Sequence, residues 1–270
     1  MSKSSETLRV VAIDSATRAG GVALAERGPS GEVTFLAERP HDEDRRHAET
    51  LQIAIDECLE AAGIDLMQVD GFAVSIGPGS FTGLRVGLAT AKGLALATGA
   101  WLIGVPTLEA FAEASLESLS TPSGAVWVCL DARKSEVYSG LFGISPAGVE
   151  RWLEDTVEAP GAAAQRVGER CRLEKSGMGE VLLVGDGADR YPDAVPGAAG
   201  LEAAPVRPSL ENIAPVRAVA RLGFALFAAE GPHDTAYLAP AYLRASQAEI
   251  QLRERLSRPN RSIEKVGGPA

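Results

Sequence analysis

Ser75 to Gly99 reads SIGPGSFTGLRVGLATAKGLALATG, and its first half holds residue types suited to binding an anion. Gly77, Pro78, Gly79 and Ser80 supply turn chemistry between an apolar run, Gly71 to Ile76, and a helical pattern from Thr82 onward. A strand, a glycine loop and a helix start form an anion site when the free N–H groups of the first helical turn point at the ligand. Neither common nucleotide loop fits the spacing. A Walker loop needs four residues between its glycines and then Lys and Ser or Thr, whereas Gly79 and Gly83 enclose three and precede Leu84-Arg85. Read as a dinucleotide fingerprint, Gly77, Gly79 and Gly83 are one residue too wide at the second interval. A structural or interface turn is the favoured reading and a phosphate cradle the alternative.

Two carboxylates come next. Asp14 ends the apolar run Val10-Val11-Ala12-Ile13, and Asp131 ends Ala125 to Leu130; each precedes a polar turn and a returning strand. At such a place Asp can cap the turn by accepting backbone N–H groups, or it can face a metal and phosphates. The turns Ser15-Ala16-Thr17-Arg18 and Ala132-Arg133-Lys134-Ser135 lack the glycines that let backbone N–H groups reach phosphate oxygens, which favours capping. Gly185 and Gly187, after the strand Val181 to Val184, are a further weak nucleotide signal beside Asp14 and Asp131. His41, His47 and His233 are scattered, as are Cys58, Cys129 and Cys171, so neither a closed metal site nor a Ser-His-Asp or Cys-His arrangement is expected. The isolated cysteines fit a reducing cytoplasm better than a disulfide framework.

The elements that must position these residues are legible from periodicity. Leu8 to Asp14 and Gly21 to Ala25 form a hairpin, and Val33 to Glu38 adds a third strand. A helix follows from His47 to Ala62 with Gly63 at its C-cap, then the strand Gly71 to Ile76, the helix from Thr82, and a strand Trp101 to Val105. That order is the half-repeat of the actin-like ATPase fold. The second half comprises a helix Leu108 to Leu119, strands Ala125 to Asp131 and Glu136 to Phe142, a helix Ala162 to Leu173, a strand Val181 to Val184 and a helix Leu210 to Glu230. The expectation is a two-lobed α/β protein built from duplicated βββαβα units. Its lobes span 1–106 and 107–232, and a tail, 233–270, lies back over the body with Pro240 to Arg244 as its anchored part.

Two helices carry surplus apolar or small faces. Gly83, Gly87, Ala91 and Ala95 recur every four residues, and glycine inside a helix costs roughly 1 kcal/mol against alanine, so close packing must be the reason. On the other helix Ala48, Leu51, Ile55, Cys58 and Ala62 form an apolar stripe. Together with His47 and Ala54 these residues predict a helix-packed partner interface: His47, Leu51, Ala54, Cys58, Gly83, Gly87, Ala91 and Ala95. The chain carries 26 Lys and Arg against 36 Asp and Glu, a formal charge of −10, which is the wrong sign for gripping nucleic acid through its whole surface. Any RNA link is expected to be indirect. Val86 to Val105, the most membrane-like stretch, includes Lys92 and several glycines and reads as buried in protein.

The segment SIGPGSFTGLRVGLATAKGLALATG resembles the signature of the TsaB (YeaZ) family. The likeness extends through Val10 to Asp14, Pro106-Thr107-Leu108, Leu130 to Arg133 and Tyr237 to Arg244. The resemblance implies a non-catalytic subunit in bacterial synthesis of threonylcarbamoyladenosine on transfer RNA. It implies TsaD as the catalytic partner and TsaE as an ATPase that joins them; the surplus helix faces predict a homodimer in isolation, and no membrane association is expected. TsaD carries two histidines four apart on the helix corresponding to His47–Ala62; here His47 is followed by Leu51, so the resemblance implies no metal pair and no metalloprotease. No cofactor is expected, and ATP only weakly or at the complex interface. An actin-fold enzyme that binds and hydrolyses ATP by itself is the alternative.

Overall fold

Val10 and Ala12 face one side of a strand, Val11 and Ile13 the other, and all four are fully buried; the sheet they belong to must therefore be covered on both faces. The computed structural model describes residues 7–18, 20–40, 47–116, 124–145, 148–174, 180–194 and 215–244. In it β1 (Leu8–Asp14), β2 (Gly21–Arg27), β3 (Val33–Pro40), β4 (Gly71–Gly77) and β5 (Trp101–Pro106) form a sheet of order β3-β2-β1-β4-β5. The first three strands are antiparallel; β4 runs parallel to β1 and β5 parallel to β4. Val11, Ile13, Val22 and Leu24 pack under α1 (His47–Ala62) and α2 (Phe81–Thr98).

The second sheet, β8-β7-β6-β9, repeats that plan with β6 (Gly124–Arg133), β7 (Glu136–Ser145), β8 (Gly148–Glu158) and β9 (Glu180–Val184), the last parallel to β6. On one face α4 (Pro160–Leu173) buries Ala163, Val167 and Cys171 against Trp127, whose indole N–H donates to Ser139 Oγ at 2.9 Å. Leu108 and Phe111 of α3 (Thr107–Ala114) cover Val126 and Val128 on the other. Ala110, on the opposite side of α3, joins the core of the first sheet, so this short helix is the wedge between two lobes of the actin-like ATPase fold.

Three elements depart from the sequence reading. The helix expected to close the second half, α6 (Pro215–Glu230), lies on the first sheet instead, its residues 210–214 falling outside the described part. Val10, Ala12, Ala23 and Ala25 need cover on that face, and Val216, Val219 and Phe224 supply it at roughly 1.5–3 kcal/mol for each large side chain removed from water. Gly223 permits the approach: a Cβ there would stand 2.5 Å from that of Ala73. The second lobe therefore does not run unbroken from 107 to 232. The helix expected to reach Leu119 ends as α3 at Ala114, with 117–119 outside the described residues. The third departure is β8, which no alternation announced because Glu150, Arg151, Glu154 and Asp155 interrupt it. Those charges are half accommodated: Arg151 lies 4.7 Å from the Phe142 ring centroid and pairs with Asp155 and, at 3.4 Å, with Glu109 of α3. Trp152 of β8 fills the space left by Gly143, as Trp101 fills that left by Gly71 in the first lobe.

Candidate functional site

Where the two halves face each other, each presents the turn after its first strand. In the first lobe Asp14 is fully buried, and its carboxylate accepts the Ala16 N–H at 3.0 Å and the Thr17 hydroxyl at 3.5 Å. Ala16 O in turn accepts the Ser80 N–H at 2.8 Å, and Ser80 Oγ accepts Gly83 N–H at 3.2 Å, capping α2. The loop Gly77–Ser80 is thus closed over the β1–β2 turn, with the Gly77, Ser80 and Ala16 N–H groups engaged inside the protein. In the second lobe Asp131 Oδ1 accepts the Arg133 N–H at 2.8 Å and the Tyr191 hydroxyl at 3.1 Å. Capping is the geometry at both carboxylates, which already take up the Ala16 and Arg133 N–H groups.

The same packing explains the small-residue ridge and corrects its expected role. A Cβ on Gly83 would lie 1.9 Å from Ser15 O, and one on Gly87 2.1 Å from Ser15 Oγ; Ser15 Oγ donates to Gly83 O at 2.8 Å. Ala91 and Ala95 are buried in the core between α2 and the sheet. Gly83, Gly87, Ala91 and Ala95 are internal packing positions, and not an exposed partner face, because the end of β1 and its turn press directly on the helix. Leu51 and Cys58 of α1 are likewise buried, with the Cys58 thiol 3.8 Å from Val22 O, and Ala54 is half-buried. The His47 side chain lies outside the described residues. What α1 and α2 do expose is the other side: Ile53 is 49% and Leu96 74% exposed, with Ala61, Ala89, Gly93 and Ala97 also open.

Gly185 and Gly187 also have a packing reason. The residue Gly185 has φ 112°, and a Cβ on either glycine would meet Cys129 O, at 2.2 Å and 2.8 Å. Between them Asp186, which opens the short helix α5 (Asp186–Arg190), accepts the Asp131 N–H at 2.8 Å. Burial, with the Asp131 carboxylate adding to it, pushes the Asp186 carboxyl up from the ordinary 3.8. A raised carboxyl favours the protonated fold, so ionised Asp186 costs stability that is absent below 3.8 and grows as pH rises through its folded value. Asp186→Asn keeps an acceptor for Asp131 N–H and removes the charge. The variant should melt above the parent at neutral pH, with the gap closing as pH falls towards 3.8, in thermal denaturation over a pH series.

Between the two turns lies a cleft of about 1030 Å³. Its walls carry Arg18, Arg85, Arg133, Lys134, Arg190 and Arg244 against three carboxylates, Asp131, Asp186 and Asp189. Sequence reasoning singled out none of these cations, since they come from five separate segments. A strap of chain runs over the mouth. His233 N–H donates to Leu102 O and its Nδ1 accepts from Gly104 N–H at 3.0 Å; Ala241 N–H then donates to Ile76 O at 2.7 Å. Tyr242 stacks on Phe81 with centroids 5.0 Å apart and accepts from Arg85 Nε at 2.9 Å. Arg244 crosses to the second lobe, bonding Ala132 O at 3.0 Å and pairing with Glu136. From Arg244 to Lys265 the sequence holds six Lys or Arg against three Glu, a basic stretch whose part after Arg244 lies outside the described residues.

Cys58, Cys129 and Cys171 are free and buried, and burial pushes the first two thiols up to about 11 and about 12, which suits packing and not nucleophilic chemistry. Among the described residues no group of three or more His, Cys, Asp or Glu is placed to hold a metal, and no helix is long and apolar enough to cross a membrane.

The family model for TsaD, tRNA N6-adenosine threonylcarbamoyltransferase, matches residues 38–252. Over 188 residues the chain is 32% identical to the tRNA threonylcarbamoyladenosine biosynthesis protein TsaB of Escherichia coli, covering 69% of this chain and 74% of that one. It is 38% identical over 133 residues to the protein of the same name from Haemophilus influenzae, covering 49% of this chain and 53%, about half, of that relative. Among solved structures, YeaZ from Pseudomonas aeruginosa aligns with a TM-score of 0.67 and 25% identity over 88% of this chain and 100% of that one.

Proposed function

The chain belongs to the TsaB (YeaZ) family of tRNA threonylcarbamoyladenosine biosynthesis proteins, and we propose that it is a non-catalytic, cytoplasmic subunit that binds TsaD and holds it in its active form. TsaD then transfers threonylcarbamoyl to the adenosine beside the anticodon of transfer RNAs that read codons starting with A, with TsaE as the ATPase that joins the pair. The observation that carries this reading is the closure of both Asp-ended turns. Asp14 and Asp131 each accept a backbone N–H of their own turn, in turns without the glycines of a phosphate cradle, which supports a chain that does not work as an ATPase itself. The partner surface we assign is the outer side of α1 and α2 around Ile53 and Leu96. The same face would join two copies of the isolated chain, so adding TsaD is expected to dissolve a homodimer.

Reconstitution tests this directly. With TsaD, TsaE, threonylcarbamoyl-adenylate and transfer RNA, modified adenosine is expected to accumulate only when the chain is added. The purified chain with Mg-ATP is expected to show no turnover. Hydrolysis that disappears in Asp14→Ala would instead identify an ATPase in its own right.

A further inference from the structure

We propose that the cleft between the lobes binds a single-stranded stretch of RNA, its phosphates on Arg18, Arg133 and Arg190 and its bases against Phe81 and Tyr242. The choice of RNA among polyanions rests on the reading of the chain as a subunit of an RNA-modifying assembly; the anionic character of the ligand rests on the cleft alone.

Charge is the first ground. In a chain of formal charge −10, the cleft walls hold six Lys or Arg and three Asp, and with Arg244 paired to Glu136 the excess is two positive charges. Two of those carboxylates, Asp131 and Asp186, already accept backbone N–H groups. A concave, positively lined site between low-dielectric walls concentrates anions far more than net charge would indicate.

The placing of the cations is the second. Arg18 follows β1 and Arg133 ends β6, so the duplicated plan sets one on each wall. Both are exposed, and the Arg18 charge is felt by the Asp186 carboxylate across the cleft. Arg133, Lys134 and Ser135 hold φ of 60°, 55° and 59°, three consecutive left-handed residues of which none is glycine. Left-handed backbone is unfavourable for such side chains, and strain of this kind persists where the surrounding structure enforces it and clusters at ligand sites.

Shape is the third. With Ala16 and Arg133 N–H groups engaged by their own carboxylates, the cleft offers side-chain cations on long stems in place of a tight backbone cradle. That suits singly charged phosphates spaced along a strand better than a compact triphosphate. The stacked pair Phe81 and Tyr242, 37% and 39% exposed, with the Arg85 guanidinium 3.8 Å from the Phe81 ring, supplies flat surfaces of the kind on which bases stack in single-strand binding grooves.

Fluorescence anisotropy of a short fluorescein-labelled single-stranded RNA, titrated with the full chain over a salt series, tests the assignment. Binding is expected, with affinity falling as salt rises by about 0.7 log units per log unit of salt for each phosphate neutralised. The double variant Arg18→Glu with Arg133→Asn, which keeps a residue tolerant of left-handed backbone at 133, should bind about tenfold or more weakly and lose about 1.4 from that slope. Arg18→Gln and Arg190→Gln, single changes at exposed positions, should each lower the slope by about 0.7, and Arg9→Ala, outside the cleft, should change nothing. Variants that melt like the parent and bind RNA equally well would overturn the proposal. So would displacement of the RNA by stoichiometric Mg-ATP, which would make the cleft a nucleotide site. A chain that restores transfer in the reconstituted reaction but binds no RNA overturns the cleft assignment and leaves the subunit reading intact; RNA binding by a chain that fails to activate TsaD does the reverse.

Discussion

Gly83→Leu and Gly87→Leu are each expected to unfold the first lobe. On Gly83 even a methyl group would sit 1.9 Å from the Ser15 carbonyl oxygen, and on Gly87 2.1 Å from the Ser15 hydroxyl. The Ser15 carbonyl cannot swing away freely, because its neighbours tie the turn down: Ala16 N–H to Asp14 and Ala16 O to Ser80 N–H. Overpacking of this kind costs about 1–3 kcal/mol, and more where backbone must shift, so both variants should melt well below the parent and express largely insoluble. Gly93 is the internal control. A Cβ there meets nothing within 4 Å, so Gly93→Ala should stabilise the isolated chain by up to about 1 kcal/mol through helix propensity alone. Equal melting temperatures for Gly93→Ala and Gly83→Leu would mean that the ridge does not pack on Ser15. A soluble Gly87→Leu that has lost only its association with TsaD would return the ridge to the partner interface.

The second large effect is expected at the outer surface of the same helices. Replacing both Ile53 and Leu96 with Asp should leave the melting temperature within about 2 °C of the parent, since exposed positions usually contribute within about 0.5 kcal/mol. Binding to TsaD should fall by about two orders of magnitude or more, because a carboxylate placed at a desolvated contact loses the apolar anchor and its own hydration together. Sedimentation or titration calorimetry with purified TsaD reads the result. Undiminished affinity in the double variant would move the interface elsewhere on the chain. Loss of binding with a melting temperature lowered by about 10 °C would show that folding, and not the surface, had failed.

Much of the molecule is written locally. The apolar strands ending in Asp14 and Asp131, the hairpins after them, the Ser80 cap with Gly99 at φ 74° closing α2, and the Gly63 stop after α1 follow from residue type and spacing over a few positions. The order of those elements was enough to name the actin-like plan. The missing glycines, a property of single residues, favoured capping at the two turns, and Asp14 and Asp131 do accept the Ala16 and Arg133 N–H groups there. The edge strand β8 escaped because its alternation is broken by charges that only a neighbour, Glu109 of α3, makes tolerable.

The sequence by itself determined which residues share a helix face; tertiary structure decided what each face meets. The four-residue rhythm of Gly83, Gly87, Ala91 and Ala95 demands something close by, yet a β-turn from residues 15 and 16 satisfies that demand as well as another subunit would, and the pattern cannot distinguish them. Only the folded chain showed the turn in place. It also carried α6 back across more than a hundred residues to cover Val10 and Ala12, because burying both faces of the first sheet outweighs sequence proximity. The cleft cations gave no local signal at all: Arg18, Arg85, Arg133, Arg190 and Arg244 each look like a solvated surface residue until the two lobes close on α3 and set their side chains around one space.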